Sequence, residues 1–76
     1  MPHVIVKLWP GQSEQKKQNL TDAIVKRLMA TLNTSEDSVS VAIEEIQPQD
    51  WMEKVYRPDI EKHMAELYKK PGYEPF

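Results

Sequence analysis

The chain opens with Met1-Pro-His-Val-Ile-Val-Lys-Leu8, and this stretch decides the fold. Apolar side chains at positions 4, 6 and 8 alternate with a mixed set at positions 3, 5 and 7, which is the two-residue period of a β-strand. Pro2 can begin such a strand, because a residue at the start of a strand can do without an N–H. Pro10 and Gly11 follow and break the pattern. We therefore predict a first strand over residues 3–8.

A long amphipathic helix is predicted from Glu14 to about Leu32. Apolar residues recur there every four positions, while charged and polar residues occupy the other side. Ser13 is a suitable N-cap, and Glu14 in the first turn complements the helix dipole. The polar residues 33–38 are turn formers and are expected to end the helix.

The segment from Val39 to Ile46 alternates again and predicts a second strand. A strand, a long helix and another strand form a β-α-β crossover unit, so the two strands are expected to be parallel neighbours with a right-handed connection. Two strands covered on one face by one helix still have unpaired edges and a bare face. We therefore expect an α/β fold that is completed by oligomerisation.

Residues 47–76 are expected to add a second, C-terminal helix. Arg57-Pro58 resembles its beginning, because proline is favoured at the first helical position, and Pro71-Gly72 resembles its end. Lys69-Lys70 would then lie in the last turn, where positive charge is favoured. The aromatic stretch from Trp51 to Tyr56 is interpreted as a connection.

The composition limits the classes of partner. A chain of 76 residues forms one domain, residues 1–76, and buries only about 60% of its unfolded surface. It has no cysteine and only two distant histidines, so neither a disulfide nor a metal is expected. The net charge is -2 without a basic stripe, and no apolar run reaches the ~20 residues of a membrane span. Because no signal peptide is evident either, we expect a cytoplasmic protein that binds neither nucleic acid nor membrane.

Pro2 is the one unusual chemical group. If Met1 is removed after synthesis, Pro2 becomes a secondary amine, and α-amino groups titrate near ~7.7–8.0. An apolar pocket would lower that pKa further, which suits a general base. With Met1 attached, the same nitrogen is an amide and is not basic. The alternative is that Pro2 only begins the strand.

The order of these features resembles the 4-oxalocrotonate tautomerase family. The matching features are a proline at position 2, a strand, Gly11, a helix opened by Ser13-Glu-Gln-Lys16, and a second strand that closes the unit at Ile46. The resemblance implies a β-α-β fold and an isomerase reaction that needs no cofactor, with Pro2 as catalytic base. The ending Lys69-Lys-Pro-Gly-Tyr73 looks like the longer bacterial branch of phenylpyruvate-type tautomerases, which implies a homodimer rather than a hexamer.

The chain departs from the family at two binding positions. The family's substrate-binding arginines would fall at Gln12 and Ser40, which are uncharged, so the bidentate clamp for a dicarboxylate is missing. Trp51 matches the family's pocket aromatic. The resemblance therefore implies that Pro2 acts on a small aromatic 2-keto acid bound by Trp51, Gln12 and Ser40. The same missing charges leave an alternative, a catalytically silent oligomer that binds a small molecule or a protein partner through the pocket at Trp51.

Overall fold

A computed structural model describes residues 1–74 of the chain, which divides into two compact units, Met1–Glu45 and Ile46–Phe76. The first unit contains strand β1 (His3–Leu8), helix α1 (Glu14–Leu32) and strand β2 (Ser40–Glu45). The two strands are parallel and pair in register from His3 opposite Ser40 to Leu8 opposite Glu45. This arrangement confirms the predicted β-α-β unit. Strand β2 is one residue shorter at each end than the sequence predicted.

Local chemistry fixes both ends of α1. The Oγ of Ser13 accepts a hydrogen bond from the Lys16 N–H at 3.1 Å, which satisfies one of the free donors of the first turn. Asn33 closes the helix in the left-handed conformation, at φ 52° and ψ 51°, and its N–H donates to the Met29 carbonyl. Gly11, in the loop before α1, has a φ of 120°, which side-chain-bearing residues rarely adopt.

Helix α1 lies over one face of the two-stranded sheet. Val41 and Ile43 line a groove together with residues of α1, so the helix-covered face carries the even positions of β1 and the odd positions of β2. The other face carries Ile5, whose exposed fraction is 50%. None of residues 1–45 is buried, even on the covered face. The first unit therefore has no finished core of its own.

The second unit consists of short helical segments. A turn of 3₁₀-helix spans Pro48–Asp50, a π-helix spans Met52–Glu61, and another 3₁₀ turn spans Met64–Glu66. Among residues 46–74, Val55 and Tyr56 in the π-helix are the buried ones, with exposed fractions of 5% and 4%. A second helix is thus present, as predicted from the sequence.

The predicted bounds of that helix were wrong. It was expected to begin at Arg57-Pro58 and to reach Lys69-Lys70, but it begins at Met52 and Pro58 lies inside it. The proline that stands at the start of a helical segment is Pro48. In an α-helix the ring of Pro58 would clash with the carbonyl four residues earlier, and the wider π winding relieves that clash. The Lys62 N–H accordingly donates to the Arg57 carbonyl, five residues back, at 3.1 Å.

Candidate functional site

The start of the sheet brings together Pro2, His3 and Ser40. The Ser40 N–H donates to the Pro2 carbonyl at 3.2 Å, and the register places His3 directly opposite Ser40. The Nδ1 atom of His3 lies 2.7 Å from the Oγ of Ser40, which is hydrogen-bonding distance. One main-chain hydrogen bond and one side-chain hydrogen bond therefore hold the first residues of β1 against β2.

Pro2 is half-buried at this end of the sheet. Met1 precedes it and is fully exposed, with an exposed fraction of 101%. Removal of Met1 would therefore cost the fold no packing, and it would turn the Pro2 nitrogen from an amide into an amine. Because that nitrogen belongs to the main chain, it lies at the end of the strand rather than on either face of the sheet.

Gln12 lies in the loop between β1 and α1 and is exposed. It stands between Gly11, with its positive φ, and the helix cap Ser13, so the conformation of its backbone is constrained on both sides. An exposed amide in a constrained loop can offer both a donor and an acceptor to a small ligand. The first unit thus holds three of the predicted site residues, and it places Ser40 beside Pro2.

Trp51 belongs to the second unit, where it forms part of an aromatic cluster. Its Nε1–H donates to the Tyr73 hydroxyl at 3.2 Å. The ring of Tyr73 in turn packs on the ring of Tyr56, with centroids 5.9 Å apart and planes tilted by 51°. These contacts hold the indole of Trp51, which remains half-buried.

Burial also affects the chemistry of Tyr56. Loss of hydration raises the pKa of its phenol above the ordinary value, and the nearby charges of Glu61 and Glu74 act in the same direction. Tyr56 therefore stays neutral at physiological pH. We assign it a packing role beneath Tyr73.

The groove between α1 and β2 is a weaker candidate. Its volume is about 260 Å³, and Lys17 is the cation in its lining. However, the Lys17 ammonium lies 2.8 Å from the Glu14 carboxylate and 3.4 Å from the Glu45 carboxylate. The hydrogen bond to Glu14 is the main cause of the raised pKa of Lys17. Two carboxylates already neutralise this cation, so the groove offers little attraction to an anionic substrate.

Sequence reasoning missed the contact of His3 with Ser40 and treated this histidine as solitary. His3 and Ser40 are 37 positions apart, and only the register of the two strands brings them together. The alternation of both strands contained a partial signal, because it placed both residues on the same face. Among residues 1–74, no cluster of three or more histidine or carboxylate side chains could hold a metal ion. In the same part of the chain, every helix falls short of the length and apolarity needed to cross a bilayer.

Comparison with known proteins shows which protein family this chain resembles. The model of a family described as "Tautomerase enzyme" matches residues 2–56. A probable tautomerase of Xylella fastidiosa is 47% identical over 73 residues, which are 96% of this chain and 89% of that protein. Tautomerase PptA of Pectobacterium carotovorum is 43% identical over 74 residues, covering 96% of this chain and 97% of the relative.

A solved structure agrees with the β-α-β unit. TomN, described as a 4-oxalocrotonate tautomerase homologue in the tomaymycin biosynthetic pathway, superposes with a TM-score of 0.64 at 34% sequence identity. The superposition covers 66% of this chain and 77% of TomN. Sequence and structure therefore lead to the same group of proteins.

Proposed function

The chain belongs to the tautomerase family, and from this premise we propose that it interconverts the enol and keto forms of a small aromatic 2-keto acid with Pro2 as general base. The main support is the extent of the family match, which begins at Pro2 itself. The strand register adds to this support, because Ser40 at a predicted binding position lies beside Pro2.

The proposed reaction is a proton transfer that needs no cofactor. Neutral Pro2, freed of Met1, removes the proton of the enol hydroxyl. The electron pair of the O–H bond forms the carbonyl, the carbon–carbon double bond takes up the proton returned by the prolinium, and the base is regenerated. A well-placed general base contributes about 10²–10⁴ in rate. The rate is expected to fall as the pH drops through the pKa of Pro2, because prolinium holds no free electron pair.

The proposed binding residues supply hydrogen bonds and an apolar surface. The family resemblance places arginines at positions 12 and 40, where this chain has the amide of Gln12 and the hydroxyl of Ser40. Because these two groups are uncharged, the site favours a substrate with one carboxylate over a dicarboxylate. Trp51 supplies an indole face for the aromatic ring of the substrate. Substitution Trp51→Ala is expected to raise KM about threefold to tenfold. Tyr73→Phe is the matched control, since it removes the Trp51 hydrogen bond but keeps the ring that packs on Tyr56.

We propose that the working form is a homodimer. The support is the absence of any buried residue in residues 1–45, together with the exposure of Ile5 and of Leu32, which are 50% and 56% exposed. Apolar surface of this kind favours association, because a single β-α-β unit is too small to remove it from water. Light scattering coupled to size exclusion tests the proposal. Twice the chain mass is expected, and six times the chain mass would contradict a dimer.

Two preparations of the same chain test the proposed base. One carries an N-terminal extension that leaves Pro2 as an amide, and the other has that extension removed by a protease so that the chain begins at Pro2. Enol-to-keto conversion of phenylpyruvate is expected only in the second preparation, and Pro2→Ala is expected to lower its rate about a hundredfold or more. Equal activity in both preparations, or a pH-independent rate, would contradict the proposal. Intact mass of the protein from its native cell shows which form occurs there.

A second candidate function follows from the uncharged residues Gln12 and Ser40. A tautomerase fold without cationic binding residues could serve as a silent binding protein for a small aromatic molecule or a protein partner. Quenching of tryptophan fluorescence by an aromatic acid without any turnover would favour this candidate. Enol-to-keto conversion that depends on a free Pro2 would reject it.

A further inference from the structure

We propose that His3 is a substrate-binding residue that donates a hydrogen bond to the substrate carboxylate. This inference rests on the proposed function, because it names the recognition element of the same site. Its starting point is the 2.7 Å contact between His3 Nδ1 and Ser40 Oγ. In this arrangement the Ser40 hydroxyl holds the imidazole in position, and it serves the carboxylate through His3 instead of donating to it directly.

The contact with Ser40 determines what His3 can offer to a ligand. A hydroxyl can donate to Nδ1, and the neutral ring then carries its hydrogen on Nε2. A carboxylate can only accept hydrogen bonds, so binding of a carboxylate favours this same tautomer. His3 is exposed, and Nε2 is the ring nitrogen that the contact with Ser40 leaves unused.

The position of His3 suits a substrate that must also reach Pro2. The two residues are consecutive, and their Cα atoms are therefore only ~3.8 Å apart. The base is the main-chain nitrogen at the strand end, and the Ser40 N–H holds the adjoining Pro2 carbonyl. Ser40 thus contacts both residues, and a small acid could span the carboxylate donor and the base.

The other histidine provides a contrast. His63, in the second unit, has its Nδ1 3.5 Å from the carboxylate of Glu66, so its partner in the chain is an anion. His3, in contrast, contacts the neutral hydroxyl of Ser40. A carboxylate of the substrate that binds the His3 ring therefore does not compete with a carboxylate in the contact that His3 makes with Ser40. His63 is the matched control, because it is exposed as His3 is and lies in the other unit.

Binding of an unreactive pair of probes tests the inference without any turnover. Phenylacetate carries a carboxylate, and phenylacetamide has the same ring and shape without the charge. Calorimetric titration is expected to show that His3→Ala weakens phenylacetate binding about tenfold, the effect of one hydrogen bond to a charged group, and leaves phenylacetamide binding unchanged. Ser40→Ala is expected to weaken phenylacetate binding by a smaller factor, and Ser40→Thr, which keeps the hydroxyl, to restore it. His63→Ala is expected to change neither affinity.

Several outcomes would overturn the inference. These are unchanged phenylacetate binding in His3→Ala, an equal loss for both probes, or wild-type protein that binds phenylacetate no better than phenylacetamide. Turnover separates this inference from the proposed function. With phenylpyruvate, His3→Ala is expected to raise KM while kcat changes little. If wild-type protein shows the selective binding but no turnover, the proposed function fails and the carboxylate site stands. Intact mass of each variant confirms that Met1 is processed equally.

Discussion

Substitution of Gly11 by alanine is expected to destabilise the protein through its backbone alone. Gly11 has a φ of 120°, and a side chain at this position would meet no atom within 4 Å. Steric crowding therefore contributes nothing to the cost. What remains is the strain of holding a residue with a Cβ in a conformation that is nearly exclusive to glycine.

The expected size of the effect follows from two opposing contributions. Holding a non-glycine residue in such a region costs about 1–3 kcal/mol. Alanine also restricts the unfolded chain, which favours folding by about 0.4–1 kcal/mol. Taken at the middle of each range, they predict a net loss of about 1.3 kcal/mol for Gly11→Ala. Gly72 is the matched control, because its φ lies outside the positive region and its Cβ would also meet open space. Gly72→Ala is expected to leave stability unchanged or raise it by up to about 1 kcal/mol.

Thermal unfolding followed by circular dichroism measures the difference. In a chain of this length, 1 kcal/mol corresponds to about 4–8 °C in Tm. Both variants and the wild-type protein must be compared at one protein concentration, because association with a second copy would make Tm depend on concentration. A Tm of Gly11→Ala equal to that of the wild type would refute the reasoning. Equal losses in the Gly11 and Gly72 variants would refute it as well, since strain would then not be the cause.

Three further predictions concern capping and ionisation. Ser13→Ala is expected to cost about 0.5–2 kcal/mol in urea unfolding, whereas Ser35→Ala, whose side chain caps no helix, is expected to stay within about 0.5 kcal/mol of the wild type. Burial raises the pKa of Tyr56, so its contribution to stability is full below the unfolded pKa of ~10 and is lost as the pH rises through the folded pKa. Tyr56→Phe should therefore flatten the alkaline loss of stability measured by urea titration. The hydrogen bond that Lys17 donates to Glu14 raises the pKa of Lys17, so Lys17→Met should lower Tm at neutral pH, and the gap to the wild type should close above pH ~10.4. A gap that stayed constant with pH would show that packing of the Lys17 stem causes the loss.

The first unit was predictable from the sequence because its signals are local. The bounds of β1 and α1 matched the prediction at every end, since strand alternation, the Ser13 cap and the polar residues after Leu32 each act within a few positions. The parallel pairing of β1 with β2 followed from the connection alone, because a long helix between two strands leaves no room for a hairpin.

The second unit was harder because its proline signal is ambiguous. Proline is favoured at a helix start, and the segment contains Pro48, Pro58, Pro71 and Pro75. Sequence reasoning chose Pro58, whereas Pro48 stands at the start of the first helical turn and Pro58 is accommodated inside a π-helix. Winding of this kind is rare and has no recognised sequence period, so hydrophobic spacing did not reveal it.

Only the part of the candidate site whose chemistry comes from a single residue could be predicted from the sequence. Pro2 could be identified from its chemistry, whatever surrounds it. The contact between His3 and Ser40 depends on the register of two strands, and a shift by one residue would have placed the two side chains on opposite faces. The partner of Trp51 is equally remote, since Tyr73 follows 22 positions later. Contacts of this kind arise from tertiary structure, which local patterns do not specify.

The proposed base and the incomplete core are connected by one physical requirement. Exclusion of water from the charged form lowers the pKa of an amine. Pro2 is half-buried, and residues 1–45 contain no buried side chain that could exclude water around it. The first unit therefore lacks both the packing that stabilises a small domain and the apolar walls that tune a base. Covering the exposed apolar residues, such as Ile5 and Leu32, with a second copy would supply packing and could supply such walls.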